Sequence, residues 1–139
     1  MRTAASYFER AAQLDPAYAR AYAGLADVYV QLDGWEIMRP HEAMPKAKEF
    51  VAKALSLDPT MAEAYVSRGA IAETYDWHPA ATERDYAKAI ELDPAYITAH
   101  WWYAAWLKDC TFERRQQTFS GALFPAKPRT KHADRIGAT

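Results

Sequence analysis

Four histidines, one cysteine and a knot of carboxylates are the side chains that could do chemistry in this 139-residue chain. His41, His78, His100 and His132 fall on separate stretches, and no two share the helix-face spacing that a metal site needs. Cys110 is the only cysteine, so no disulfide can form within the chain, and no motif frames it or any serine as a nucleophile. The five glycines form no phosphate-cradling loop. Glu83, Asp85, Glu91 and Asp93 alternate with Arg84 and Lys88, a pattern that reads as a solvated helix face with local ion pairs. These residues give no support to an enzyme, and no cofactor or metal is expected. The remaining candidate is aromatic. Trp101, Trp102, Tyr103 and Trp106 crowd six positions, and side chains of this type anchor protein interfaces as readily as they fill cores.

The elements that must position these residues are set by a repeat. Leu14-Asp15-Pro16, Leu57-Asp58-Pro59 and Leu92-Asp93-Pro94 close three similar phrases, with the prolines 43 and then 35 residues apart. Proline cannot continue a helix but suits the first turn of the next one, and the aspartate before it can cap that helix. The periodicity predicts helices at 2–14, 17–32, 42–57, 60–74, 79–92 and 95–108. Gly34 and Pro40 mark the stretch 33–41 as a loop insertion of nine residues. The fold class expected is all-α, and each helix pair must lean on its neighbours to bury its apolar face.

Bulk properties narrow the setting. Half the residues are hydrophobic and a quarter charged, with no apolar run near the roughly 20 residues that span a bilayer. No secretory leader is recognisable at MRTAASYFER, so a cytoplasmic location and no membrane partner are expected. Residues 1–110 carry 11 Lys and Arg against 16 Asp and Glu, whereas 111–139 carry 6 against 2. The repeats are thus mildly acidic and offer no electrostatic footprint for nucleic acid.

Residue by residue, the repeats resemble the tetratricopeptide family, whose unit of about 34 residues is a pair of antiparallel helices. The family's small, aromatic, small and proline positions are met by Ala4, Phe8, Ala11 and Pro16, by Ala47, Val51, Ala54 and Pro59, and by Thr82, Tyr86, Ala89 and Pro94. Its large-then-small pair is met by Tyr22 and Ala26, Tyr65 and Gly69, and His100 and Ala104. The resemblance implies a helix-turn-helix solenoid of about three helix pairs, coiled as a right-handed superhelix. Residues 1–110 would hold the array: the second helix of a partial repeat over 1–16, repeats at 17–59 and 60–94, and a partial repeat at 95–110. Register is lost beyond it, where Gln116, Ser120 and Leu123 stand at the small, aromatic and small positions. Residues 111–139 are therefore expected to be a degenerate helix and a basic, disordered tail, the product of truncation or a frame change. The phrases AYAGLADVYVQL and TYDWHPAATERDYAKAIELDPAYITAHWWYA are similar to repeat segments of large bacterial regulators. There the repeats accompany a winged-helix, adenylate cyclase or protein kinase domain, which implies a piece of a signalling or transcriptional regulator.

The same resemblance implies the site. In the family the concave face binds peptides, and the positions on it here are Ala23, Asp27, Val30, Val66, Ala70, Glu73, Trp101, Ala105 and Lys108. The carboxylate-gripping clamp of some members is absent, because Ala23, Asp27, Val66 and Ala70 stand where it should be. A more apolar peptide or protein partner is expected, with Trp101 as its anchor and Trp106 in the core. The alternative is a homo-oligomer, an assembly unit joined through the incomplete repeat ends.

Overall fold

The computed structural model describes residues 2–120, and among these every regular element is helical. The helices are α1 (Arg2–Leu14), α2 (Ala19–Gly34), α3 (Pro40–Leu57), α4 (Ala62–Ile71), α5 (Pro79–Leu92) and α6 (Ile97–Ser120). A π-helical turn, Ala72–Asp76, continues α4. The helices pack as hairpins, α2 along α3 and α4 along α5, with α1 on α2 and α3 on α4. The first helices of successive pairs also touch, α2 to α4 and α4 to α6.

The three Leu-Asp-Pro junctions repeat one set of hydrogen bonds. The Asp15, Asp58 and Asp93 amides donate back to Ala11, Ala54 and Ala89 at 2.9, 2.8 and 3.0 Å. Their Oδ1 atoms accept from the amides of Ala17, Thr60 and Ala95 at 3.0, 2.9 and 3.1 Å. Their carbonyls accept from Tyr18, Met61 and Tyr96 at 3.0, 3.4 and 3.1 Å. The aspartate therefore closes a turn around the proline, as this side chain does two residues on. This corrects the expectation that it caps the next helix: α2, α4 and α6 begin at 19, 62 and 97, not 17, 60 and 95. Tyr22 and Tyr65 brace the turn from the helix, their hydroxyls donating to the Pro16 and Pro59 carbonyls at 3.2 and 2.9 Å. His100 does the same for Pro94 through Nε2 at 2.8 Å, so its role is structural.

Two further expectations are corrected. The insertion is not one loop over 33–41. α2 extends to Gly34 and α3 starts at Pro40, with Pro40 at the position proline favours. The reversal between them turns on Glu36 at φ 56°, and the Ile37 and Met38 amides share the Leu32 carbonyl at 3.0 and 3.2 Å. Most of the extra chain thus lengthens the helix pair. At the far end α6 runs for 24 residues without a break at 108, since no glycine or proline interrupts 97–120. The tail beyond 120 lies outside the described residues.

The core follows the pairs. Ala26, Met44, Ala47, Val51, Ala70 and Ile71 fill the space between α2, α3 and α4, and Val66, Tyr86, Ala89, Ala99 and Trp106 that between α4, α5 and α6. Gly69 makes the second pairing possible, because a Cβ there would lie 2.6 Å from the Tyr86 ring. Tyr86 is fully buried and donates its hydroxyl to Glu73 at 2.7 Å. Burial first, and the Glu73 carboxylate after it, push the Tyr86 hydroxyl well above its usual range.

Candidate functional site

The nine positions expected on the concave face do not form one open surface. Ala23, Val30, Val66 and Ala70 are buried. Glu73 is half-buried and holds Tyr86, and Ala105 is half-buried. Asp27, Trp101 and Lys108 are exposed. Asp27 nonetheless sits where partial removal from water pushes its carboxyl up, against a hydrogen bond from Gln31. The Asp27 and Glu63 carboxylates lie near Tyr96, whose hydroxyl is raised chiefly by burial and then by them. Two carboxylates thus stand beside the Tyr96 hydroxyl. The exposed pair Arg20 and Glu63, 3.6 Å apart, spans α2 and α4 beside it.

The position of Trp101 has another meaning. Its counterparts in the earlier pairs are Ala23 and Val66. Ala23 packs with Ala54 of α3 and with Met61 and Ala64 at the start of α4. Val66 packs with Tyr86 and Ala89 of α5 and with Ala99 and Trp106 of α6. Each is covered by the second helix of its own pair and the first helix of the next. The position is therefore a stacking seam. The seam has the same fate at three levels. Ala19 and Ala62 are 9% and 4% exposed, but their counterpart Ile97 is 80% exposed. Ala23 and Val66 are 3% and 5% exposed, but Trp101 is 63% exposed. Ala26 and Gly69 are buried, but Ala104 is exposed. With Leu107, also exposed, these residues run along one side of α6 at three- and four-residue spacing, and exposed Phe112 follows five residues on.

Trp101 stands edge-on to Trp102, with ring centroids 5.2 Å apart and planes at 84°. Trp102 tucks half-buried against both core clusters. Behind it Trp106 is 8% exposed and stacks on Tyr103, with centroids 6.1 Å apart. The aromatic run therefore splits into a buried support and one presented ring. The sequence signal that finds this surface is the size of the seam residues. The inner pairs use Ala, Val and Gly there, and the last helix uses Ile, Trp and Ala.

At the opposite end α1 has no first helix packed on it among the described residues. Its Ala4, Phe8 and Ala11 are half-buried, whereas their counterparts Ala47, Val51 and Ala54 of α3, and Thr82, Tyr86 and Ala89 of α5, are 2% exposed or less.

Among the described residues no group of His, Cys, Asp and Glu could hold a metal ion, and no helix is long and apolar enough to cross a membrane. Comparison with protein-family models, curated proteins and solved structures found no match.

Proposed function

We propose that the chain is a tetratricopeptide-type interaction module, a short right-handed solenoid that binds a protein partner and catalyses no reaction. The observation that carries this reading is the open seam of α6, where Ile97, Trp101 and Ala104 are exposed at positions buried in both earlier pairs. The repeated junction bonds and the Gly69–Tyr86 contact support the family reading. A fitting partner presents an amphipathic helix with an aromatic residue against Ala104, as Tyr86 lies against Gly69. The concave face would then contribute Asp27 and Lys108 to the rim rather than the anchor. The resemblance to repeat segments of bacterial regulators supports a cytoplasmic signalling or transcriptional setting.

Selection of helical peptides on the full chain tests this reading. Peptides should bind the native chain and be lost on Trp101→Ala combined with Ala104→Glu. Selected peptides that hold the double variant equally well would remove α6 as the surface.

A second reading is favoured by the half-buried Phe8. In it, α1 of one copy is the missing second helix for α6 of another, giving head-to-tail assembly.

A further inference from the structure

A cavity of about 680 Å³ opens between α3 and α5, the second helices of neighbouring pairs, with α4 as its floor. No residue of α6 lines it. Its size is that of a small-molecule pocket. Val51, Ala52 and Leu55 form one wall, Ile71 and Ala72 the floor, and Ala81 part of the other wall. Apolar side chains thus line both walls and the floor, Ser56 adds a hydroxyl, and the charged groups stand at two places.

At the first, Asp85 is 1% exposed and both of its oxygens are engaged. Arg68 donates to it through Nε at 2.8 Å and Nη2 at 2.7 Å, and Arg84 Nε lies 3.5 Å from Oδ1. At the second, Lys48 donates to Asp76 at 2.6 Å. His78 adds a donor. Its Nδ1 accepts from the Ala81 amide at 3.2 Å, so in the neutral ring Nε2 carries the hydrogen.

The inventory is unbalanced in one direction. Three permanent cations face two carboxylates across this lining. Each arginine brings five N–H donors, and the aspartate that holds them is buried. Arg84 is mostly solvent-exposed and is the cation least committed to a protein acceptor. An occupant that matched this wall would bring acceptors and negative charge at one end and an apolar body for the rest. We propose that this cavity binds a small amphipathic anion, a medium-chain aliphatic carboxylate whose head group meets Arg84 and whose chain lies against Leu55 and Ile71.

The test uses the full chain with ¹³C-labelled alanine methyls, titrated separately with octanoate, octanol and octylamine. Octanoate should shift the Ala52, Ala72 and Ala81 methyls, at least tenfold more tightly than octanol, while octylamine leaves them in place. Lengthening the carboxylate should tighten binding by about fourfold per methylene until the cavity is full. Arg84→Gln should bring octanoate down to the level of octanol, and Arg84→Lys should largely restore it. Ala52→Trp, at an exposed wall position, should block all binding with the helical circular dichroism unchanged. Equal affinity for octanoate and octanol, shifts confined to other methyls, or binding that survives Ala52→Trp would each overturn the proposal. So would tighter binding of a peptide with an apolar C-terminal residue, which would assign the cavity to a protein partner. Peptide capture by α6 is read out independently of all these results.

Discussion

Replacing Trp106 and Trp101 by alanine, one at a time, separates support from anchor. A large aromatic ring buries on the order of 200 Å², worth about 5 kcal/mol at ~25 cal/mol per Å² when fully covered. Trp106 keeps 8% exposure and stacks on Tyr103, within the cluster of Val66, Tyr86 and Ala99. Truncating it leaves a cavity against Val66, Tyr86 and Ala99, so the expected loss is about 3–5 kcal/mol. Trp101 keeps 63% exposure, which caps its burial term at roughly 2 kcal/mol. Much of that is the edge contact with Trp102, a kind of pair worth about 0.5–1.5 kcal/mol. Urea unfolding followed by far-ultraviolet circular dichroism reads the stabilities, and titration with a selected helical peptide reads binding. Trp101→Ala should lose at least tenfold in peptide affinity while staying within about 2 kcal/mol of the parent. Equal stability losses in the two variants would show that the seam and the core have been confused. Full peptide affinity in Trp101→Ala would refute α6 as the binding surface.

Gly69→Ala should destabilise by about 1–2 kcal/mol, because overpacking against the pinned Tyr86 ring outweighs the gain in helix propensity. Gly24→Ala makes as close an approach, 2.5 Å to Phe8, but Phe8 is half-buried on α1 and can swing outward. That variant should be near neutral in the same urea assay, and matching losses would undo the argument. For head-to-tail assembly, Phe8→Glu and Ala104→Glu should each be monomeric by light scattering, and their mixture should form a dimer and nothing larger. A Phe8→Glu chain that still dimerises alone would show a symmetric contact instead. Asp58 accepts from the Thr60 hydroxyl and amide at 2.6 and 2.9 Å, and these bonds hold its carboxyl below the ordinary value of 3.8. A folded pKa below the unfolded one stabilises fully above the unfolded value and is lost as pH falls through the folded value. Thr60→Val should raise the Asp58 pKa in a carboxyl ¹³C titration, and no movement would count against the hydroxyl as the main cause.

The existence and order of the helices were legible in the sequence because Leu-Asp-Pro recurs with helical periodicity on both sides. The use of each aspartate was not, since the same side chain closes a turn or caps a helix with equal ease, and only backbone geometry decides between them. The seam was misread for a related reason. Ala23 and Val66 have the spacing of a helix face, but periodicity does not say whether that face meets solvent or a neighbouring helix. Trp106 was legible because its counterparts Val28 and Ile71 are apolar, and all three are buried. The cavity left no trace in the pattern. Its lining comes from three helices, and its charges look in sequence like the ordinary ion pairs of exposed faces.

The length of α6 and the opening of its seam have one cause. Each helix pair needs the chain to reverse, and both reversals use the same two devices. Between α2 and α3 they are Glu36 at φ 56° and Pro40; between α4 and α5 they are Trp77 at φ 53° and Pro79. A left-handed residue without glycine's freedom is costly, by about 1 kcal/mol or more. It persists where packing of the returning helix compensates. The π turn at Ala72–Asp76 delivers the chain to Trp77, and the proline then starts α5 in place. In the register of the third pair, the positions of Trp77, His78 and Pro79 are held by Phe112, Glu113 and Arg114. None of these breaks a helix, and the chain continues straight through them. No second helix returns within the described residues, so Ala104 meets nothing of the kind that Tyr86 supplies to Gly69. Without that reversal the seam of α6 is a surface among the described residues, and a helix seated there would complete the third pair.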